Sequence, residues 1–230
     1  MSIYQRQEIL LGREAQERLA ASHVVVCGLG GVGSYLTEAL ARSGVGELTL
    51  IDSDTIAESN LNRQLYALRS TLGQFKTQVA AARIADISPD IRLHLRRDFI
   101  TPDNAAALVS SEDFICDAID FVPAKLALME FAHREQRPLI SAMGAGRRLD
   151  PGKLRIADIS ATGNCPLART IRRQLRQRGV EGGITVCCSS ETPVPQVSDA
   201  DTIGSVAFVP SVMGLMMAAH VIRKLAGIEL

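Results

Sequence analysis

Three glycines in one short stretch are the first residues whose spacing could do chemistry. Residues 24–34 read VVVCGLGGVGS, in which Gly28, Gly30 and Gly33 match the pattern G-x-G-x-x-G. Because glycine lacks a Cβ, this pattern allows a tight turn, close approach of the backbone to phosphate, and close packing of the following helix on the strand. Asp52 lies about 20 residues further on, where an acid can bond a ribose hydroxyl. The pattern predicts a nucleotide site, which could take a dinucleotide or the phosphates of ATP.

The polar connection that begins at Asp52 favours ATP. It lies within IDSDTIAESNLNRQLYALRSTLGQFKTQ, residues 51–78, where a nicotinamide enzyme would enter its next helix. A triphosphate carries more charge than a dinucleotide and needs fixed cations, and Arg63 and Lys76 supply two. Asp120, at the end of the run ICDAID, is placed to hold a magnesium ion or to order these cations. Each residue alone could be a solvated loop charge, but their clustering after the glycines indicates function.

Composition and charge bound the class of protein. The 230 residues include 25 basic and 25 acidic ones, so attraction to an anionic partner must come from local patches. A hydrophobic content of 47% is that of a globular protein with one domain or a domain plus an extension. The first 20 residues lack the apolar core of a secretory signal, which predicts a cytoplasmic location. Five cysteines without any C-x-x-C pair fit neither a disulfide framework nor a zinc site.

Apolar periodicity predicts the elements that would position these residues. Strands and helices alternate, which indicates an α/β fold of the Rossmann-like, doubly wound type with a mainly parallel sheet and a crevice beyond the carboxyl ends of its strands. We expect residues 1–150 to form the nucleotide-binding core and residues 151–230 to form a C-terminal α/β extension that closes the active site. The predicted helices are 8–20, 32–43, 75–87, a short one after Thr101-Pro102-Asp103, 123–134, the basic segment PLARTIRRQLRQRG and a final apolar helix; the predicted strands are 23–28, 47–51, 91–97, 114–118, 138–142, 153–159 and 184–188.

One apolar run is long enough to raise the question of a membrane span. Residues 206–222 are interrupted only by Pro210, Ser211, Gly214 and His220. This length is at the short limit for a span, and the interruptions fit a buried or interface helix better. We expect no membrane insertion.

The basic segment carries two faces. Leu167, Ile171 and Leu175 recur every four residues, and no acid lies between Asp158 and Glu181. A stripe of arginines lies on another face of the segment. It could be a solvated face that keeps the protein soluble, or a surface that binds the phosphate backbone of a nucleic acid. The stripe consists of Arg169, Arg172, Arg173 and Arg176, and Arg147, Arg148, Lys153 and Arg155 could extend it.

Several motifs together resemble a known superfamily. CGLGGVGS, IDSDTIAESNLNRQ, the G-x-x-K of residues 73–76, DAID, YQRQ near the start and IGSVAFVPSVMGLMMAAHVIRKLAG near the end are similar to the ubiquitin-activating-enzyme-like superfamily, whose members adenylate carboxylates. Within it, ALARSGVGELTLIDSD, TPDNAAAL, DPGKLRIADIS, NCPLARTIRRQLRQRGV and SSETPV resemble the tRNA threonylcarbamoyladenosine dehydratases. The likeness covers nearly the whole chain.

The resemblance implies roles for the residues of the nucleotide site. Gly31 and Asp52 would contact the nucleotide, with Asp52 on the ribose. Asn60, Arg63 and Lys76 would bind the phosphates. The full set that we expect to bind the nucleotide is Gly28, Gly30, Gly31, Gly33, Asp52, Asp54, Asn60, Arg63, Lys76 and Asp120.

The resemblance also implies a catalytic set and a second subunit. Asp120 would lie near a magnesium ion and the reacting phosphate, beside Arg63 and Lys76. Arg6 matches an arginine that in the family reaches the ATP of the opposite protomer, which implies a homodimer. A monovalent cation is a further candidate cofactor, and a sulfur-relay protein is a candidate partner.

The chemistry that the resemblance implies is activation of a carboxylate by ATP. In the dehydratases, the activated group is the threonyl carboxylate of the modification beside the tRNA anticodon, and a nitrogen or oxygen of the same modification attacks it to close a ring. An adenylating enzyme for a sulfur-carrier or ubiquitin-like protein is the alternative, and a nicotinamide oxidoreductase is the third class. Two departures bear on this choice: Phe121 stands where the superfamily often has asparagine, and the paired C-x-x-C zinc motifs of the protein-adenylating members are absent.

The cysteines leave a covalent role open. A catalytic thiolate needs a lowered pKa and access. Cys165, just ahead of the basic segment, fits that better than the adjacent Cys187 and Cys188, whereas we expect Cys27 and Cys116 to lie in the core. A buried, unreactive cysteine is the commoner case.

Overall fold

A computed structural model describes residues 3–197 and 202–228 of the chain. Residues 198–201 of the proline-rich stretch 193–202 therefore lie outside the described residues. The helices are α1 (Gln5–Leu11), α2 (Arg13–Ala21), α3 (Gly33–Arg42), α4 (Lys76–Ile87), α5 (Ala105–Leu108), α6 (Val122–Arg134), α7 (Pro166–Gln177) and α8 (Phe208–Ala226); the strands are β1 (His23–Cys27), β2 (Glu47–Ile51), β3 (Arg92–Arg96), β4 (Phe114–Asp117), β5 (Leu139–Ala142), β6 (Leu154–Asp158) and β7 (Thr185–Ser189).

A single seven-stranded sheet organises the molecule. Its order is β3-β2-β1-β4-β5-β7-β6, and every neighbouring pair is parallel except the antiparallel pair β6–β7 at one edge. The predicted Rossmann-like, mainly parallel α/β fold is thereby confirmed. The strands β6 and β7, which follow residue 150, extend the same sheet beyond β5. The strand order runs outwards in one direction from β1 to β3 and in the other from β4, so the winding reverses between β1 and β4, which opens a crevice at the carboxyl ends of these strands.

The apolar run of β1 serves two cores. Val24 and Val26 belong to the cluster shared with α3, α4 and α8, whereas Val25 and Cys27 belong to the cluster shared with α6 and α7. All four side chains are fully buried. A strand covered on both faces needs apolar residues at every position, which is why the sequence shows a continuous run rather than an alternation.

Helix α8 is a core helix. Eight of its residues are buried, among them Val209, Met213, Met217 and Val221. A Cβ on Gly214 would lie 2.3 Å from the carbonyl oxygen of Val32, so the glycine lets α8 approach the start of α3. The helix is long and apolar enough to cross a membrane by length and composition alone, but its packing against α2, α3 and the sheet accounts for its apolar residues.

The start of the chain differs from the prediction. One helix was expected over residues 8–20, and the structure has two, α1 and α2, which meet at Gly12. Gly12 has φ +87°, a conformation that glycine adopts readily and that stops an α-helix. The apolar periodicity continues across this break, so it predicted one helix where the structure has two.

Candidate nucleotide-binding site

A cavity of about 970 Å³ opens at the carboxyl ends of β1, β2, β4 and β5. Its walls come from the loops that follow these strands, from residues 143–148, from the start of α7 and from the start of α8. The cavity brings together nine of the predicted nucleotide-binding residues: Gly28, Gly30, Gly31, Asp52, Asp54, Asn60, Arg63, Lys76 and Asp120.

The glycine loop is shaped by close backbone contacts. A Cβ on Gly28, which has φ +89°, would lie 2.8 Å from the carbonyl oxygen of Ala118. Gly33 does not line the cavity but lies beneath it, where a Cβ would come within 1.8 Å of the Gly28 carbonyl oxygen. Within the described part of the chain, no hydrogen bond takes the backbone N–H groups of Gly31 and Val32, which both line the cavity. These donors at the start of α3 are suited to phosphate oxygens.

Asp52 is fixed by the glycine loop. Its Oδ2 accepts a 2.6 Å hydrogen bond from the Leu29 N–H, and its Oδ1 accepts one of 2.9 Å from the Asp54 N–H. Burial raises the pKa of Asp52, while Lys76 and the two backbone donors act in the opposite direction. The carboxylate therefore lies at a defined place beside the loop, where it can accept from a ribose hydroxyl.

Lys76 begins α4 and is almost fully buried, with 5% of its surface exposed. Its Nζ donates to Asp54 Oδ2 at 2.6 Å and lies 3.7 Å from Asp52 Oδ1. Two carboxylates thus hold the ammonium at the cavity wall. A bound phosphate would become a third anionic partner of this cation.

Arg63 and Asn60 lie on the short turns after β2. Arg63 Nη1 donates to the Ser59 carbonyl oxygen and to Asn62 Oδ1, both at 2.8 Å. Asn60 Oδ1 accepts from the Ala57 N–H at 3.1 Å, so the amide oxygen stabilises the turn, and the amide nitrogen can donate to a ligand. Arg63 keeps its other guanidinium nitrogen and Nε for a ligand.

Beneath Asp120 lies a buried polar network that sequence reasoning missed. Asp120 itself is exposed on the cavity wall, three residues after Asp117. Lys125 Nζ donates to Asp117 Oδ2 at 2.7 Å, to Ser141 Oγ at 2.9 Å and to the Ala142 carbonyl oxygen at 3.0 Å. The signal for it was a lysine and an aspartate within otherwise apolar segments, because buried charges occur in pairs.

The cysteines are all buried and free. Cys165 lies in the cavity wall, and its Sγ accepts from the Ala168 N–H at the start of α7. Burial raises the pKa of Cys187 to about 12, and burial also raises the pKa values of Cys27, Cys116 and Cys188. Thiols with raised pKa values are poor nucleophiles at neutral pH.

The remaining predicted residues lie outside the cavity. Arg6 is exposed on α1 and does not line it. The four arginines of the α7 stripe, Arg169, Arg172, Arg173 and Arg176, line a separate shallow groove of about 440 Å³.

One residue of the stripe is partly engaged within the protein, and one expected extension of the basic patch is wrong. Arg172 Nη1 donates to the Thr162 carbonyl oxygen at 2.8 Å, so part of this guanidinium is already engaged within the protein. Arg148 is 2% exposed and lines the cavity wall, and it therefore cannot extend an exposed patch. Both guanidinium groups donate to backbone carbonyl oxygens, Arg172 to that of Thr162 and Arg148 to that of Asn164. Spacing along the sequence does not predict such contacts.

Comparisons with known proteins agree with the fold. The chain is similar to the tRNA threonylcarbamoyladenosine dehydratase of Bacillus subtilis, with 40% identity over 238 residues, 96% of this chain and 94% of the relative. Its structure matches that of Escherichia coli tRNA N6-threonylcarbamoyladenosine dehydratase in complex with ATP, with a TM-score of 0.90, 35% identity, and coverage of 97% of this chain and 93% of that chain. A molybdopterin-synthase adenylyltransferase of Salmonella typhimurium is 38% identical over 149 residues, 64% of this chain and 59% of the relative. The ThiF family matches residues 4–230. The resemblance carried by the glycine loop and the polar connection is thereby confirmed, and this chain belongs to the ThiF family.

Proposed function

We propose that this chain is an ATP-dependent tRNA threonylcarbamoyladenosine dehydratase. The observation that carries the proposal is the cavity in which the glycine loop, Lys76, Arg63 and Asp52 meet. The likeness to named dehydratases over almost the whole length of the chain supports the choice of substrate.

The first step makes the carboxylate electrophilic. A carboxylate is a poor electrophile, and transfer of AMP to one of its oxygens turns that oxygen into part of a good leaving group. The carboxylate oxygen bonds to the α-phosphorus as the bond to pyrophosphate breaks. Lys76 and Arg63 neutralise charge on the phosphates, and the N–H groups at the start of α3 hold their oxygens. Rate enhancement then comes from positioning and charge rather than from a protein nucleophile.

The second step closes the ring. A nitrogen or oxygen of the same modification attacks the activated carbonyl carbon, AMP leaves with the former carboxylate oxygen, and the attacking atom loses a proton. The net change in the nucleoside is loss of one water. No covalent enzyme intermediate is needed, which agrees with the burial of all five cysteines.

Magnesium fits the donor set of the cavity. Asp120 offers an exposed carboxylate on the wall, and hard oxygen ligands of this kind, together with phosphate oxygens, are what magnesium prefers. When bound, the ion would neutralise phosphate charge and orient the triphosphate. A monovalent cation is a further candidate.

A homodimer completes the site in this proposal. Arg6 is exposed on α1, beside the exposed apolar residues Ile9 and Leu10. An apolar helix face of this kind is suited to a subunit interface. Arg6 would cross that interface to the ATP of the partner, in a protein that works in the cytoplasm.

The groove along α7 is the proposed contact for the tRNA backbone. Arg169, Arg173 and Arg176 are exposed there, and Arg172 contributes the part of its guanidinium that is not engaged. Phosphate contacts by such side chains weaken as the salt concentration rises, because the release of counterions from the RNA becomes less favourable. Changing Arg173 and Arg176 to alanine should lower tRNA affinity and flatten its salt dependence; an unaltered affinity would return the stripe to a solvated face.

Adenylation of a sulfur-carrier protein is the second candidate, because a molybdopterin-synthase adenylyltransferase is among the relatives. It predicts ATP–pyrophosphate exchange that is stimulated by such a carrier and not by tRNA. A sulfur-relay protein could also be a partner of the dehydratase itself.

The deciding experiment incubates the protein with ATP and unfractionated tRNA, and weighs the digested nucleosides. We expect threonylcarbamoyladenosine to lose the mass of one water. Lys76→Ala and Arg63→Ala should abolish the product, while Lys224→Ala, which removes an exposed lysine outside the cavity, should not. Normal turnover by Lys76→Ala would mean that the phosphate site is assigned wrongly.

A further inference from the structure

Two histidines and a glutamate lie together on the sheet, away from the nucleotide cavity. His23 begins β1, Glu47 begins β2 and His94 lies within β3. One potential ligand atom of each side chain lies within 4.8 Å of the other two. None of the three residues lines the cavity, which opens at the carboxyl ends of β1 and β2. The cluster is therefore separate from the site of the proposed reaction.

The register of three parallel strands brings these side chains to one face of the sheet. His23 pairs with Glu47, and His94 pairs with Thr49, two residues further along β2. Because side chains alternate between the two faces of a strand, residues 47 and 49 share a face, and so do their partners. His94 is half exposed, whereas 18% of each of the other two side chains is exposed. An ion can thus enter from solvent on the side of β3.

The potential ligand atoms lie close to the distances that a metal ion requires. Glu47 Oε1 lies 2.6 Å from His94 Nε2 and 3.8 Å from His23 Nδ1. In a tetrahedral zinc site, bonds of about 2.0–2.2 Å place the ligand atoms about 3.3–3.6 Å apart. The two observed distances lie on either side of this range, so small rotations of the side chains bring all three atoms to one ion.

Neighbouring groups hold two of these side chains in place. Thr49 Oγ1 lies 2.8 Å from His23 Nε2, so when Nδ1 binds an ion the Nε2–H donates to this hydroxyl. Arg92 Nε donates to Glu47 Oε2 at 3.0 Å, which leaves Oε1 beside the histidines. Asp113 Oδ2 accepts from the His23 N–H at 2.7 Å and fixes the backbone there. Hydrogen bonds from a second layer of residues orient the ligands of metal sites in this way.

We propose that His23, Glu47 and His94 bind a zinc ion. Two imidazole nitrogens and one carboxylate oxygen suit zinc and its neighbours in the first transition series, whereas magnesium and calcium prefer oxygen ligands alone. Water completes the tetrahedral coordination. The bound ion links three neighbouring strands and stabilises the folded chain, because the fold brings its ligands together. This inference is independent of the proposed function.

The test removes metal from the protein with a chelator and dialysis, and then adds Zn²⁺ or Co²⁺ alone at neutral pH. Calorimetry should show Zn²⁺ binding, Zn²⁺ should raise the temperature of thermal unfolding, and Co²⁺ should give the visible absorption of a four-coordinate site. His94→Gln and Glu47→Gln should each weaken Zn²⁺ binding more than about 100-fold, because each removes a ligand. Thr49→Val, which removes only the partner of the His23 ring, should weaken it by about 10- to 100-fold.

A matched control changes a histidine outside the cluster. His133 lies in α6, and His133→Gln should bind Zn²⁺ as the wild type does. Circular dichroism in chelator should show that His94→Gln folds normally, since this side chain is half exposed. Wild-type affinity in His94→Gln, or loss of binding in the cavity variant Asp120→Asn, would place the ion elsewhere and overturn the inference.

The remaining outcome concerns the wild type itself. If it binds neither Zn²⁺ nor Co²⁺, the cluster is an ion-pair network of Glu47 with Arg92 and His94, and the inference is wrong. These measurements use neither ATP nor tRNA, so their failure is distinguishable from a failure to form the dehydrated nucleoside.

Discussion

Removal of the buried lysine beneath the cavity is the perturbation whose energetic effect is clearest. Lys125 and Asp117 have zero side-chain exposure and are 2.7 Å apart. Lys125→Met keeps much of the side-chain volume but leaves the Asp117 carboxylate without its counter-ion. Among the residues that the structure describes, Ser141 Oγ and the Ile119 N–H are the remaining hydrogen-bond donors to this carboxylate. Loss of one partner of a buried pair costs about 3–5 kcal/mol. That is a large share of the roughly 5–15 kcal/mol that stabilises a typical domain.

A double-mutant cycle tests the electrostatic reasoning. Asp117→Asn alone leaves the ammonium unpaired in the interior, whereas Lys125→Met together with Asp117→Asn removes both charges. We therefore expect the double variant to be more stable than the sum of the two single losses predicts, by at least about 1 kcal/mol. Urea unfolding followed by circular dichroism supplies the free energies of unfolding, with unchanged m-values as the check on two-state behaviour.

The control is an exposed ion pair. Lys153 lies 4.0 Å from Asp150, and both side chains are about half exposed, so Lys153→Met should change the free energy of unfolding by less than about 0.5 kcal/mol. A loss of less than 1 kcal/mol in Lys125→Met, or strict additivity in the cycle, would refute the view that this pair is a coupled unit.

Three further outcomes follow from local geometry. Hydrogen bonds from Arg92 and, to a lesser degree, His94 lower the pKa of Glu47 to about 2. The ionised Glu47 therefore contributes its full stabilisation above its ordinary pKa of 4.5, and this contribution is lost as the pH falls towards 2. In urea titrations, the difference in stability between wild type and Glu47→Gln should close over that pH range. Gly33→Ala should cost more than about 3 kcal/mol because its Cβ meets backbone, whereas Gly73→Ala, with φ +78° and open space, should cost about 1–2 kcal/mol; equal thermal shifts would contradict this. Since all five thiols are buried, a disulfide reagent should label none of them in the native protein and all five in urea; rapid native labelling would show an accessible thiol.

Several features of the site were predictable from neighbouring residues alone. The run before Gly28 predicts a covered parallel strand, and the alternation that follows predicts the sheet, because side-chain periodicity reflects which faces of an element are buried. The glycine pattern also predicts the phosphate loop. The same local reasoning failed at Gly12, where the periodicity runs through a break made by one backbone torsion.

Contacts between distant segments were decided by the tertiary structure. The pairs Lys76–Asp54 and Lys125–Asp117 join residues 22 and 8 positions apart, and the ring contact of Phe99 with Phe121 joins the loops after β3 and β4. Arg172 belongs to the arginine stripe by its spacing, yet its guanidinium donates to the carbonyl oxygen of Thr162 in the preceding loop.

The physical reason for this division is range. Backbone sterics and hydrophobic periodicity act between residues close in sequence, so the chain alone determines the glycine loop, the order of strands and helices, and the polar connection that favours ATP. Burial, ion pairing and ring contacts depend on which strands become neighbours and how closely their loops approach. Only the folded sheet determines that Lys76 stands between two carboxylates and that Arg6 lies outside the cavity of its own chain.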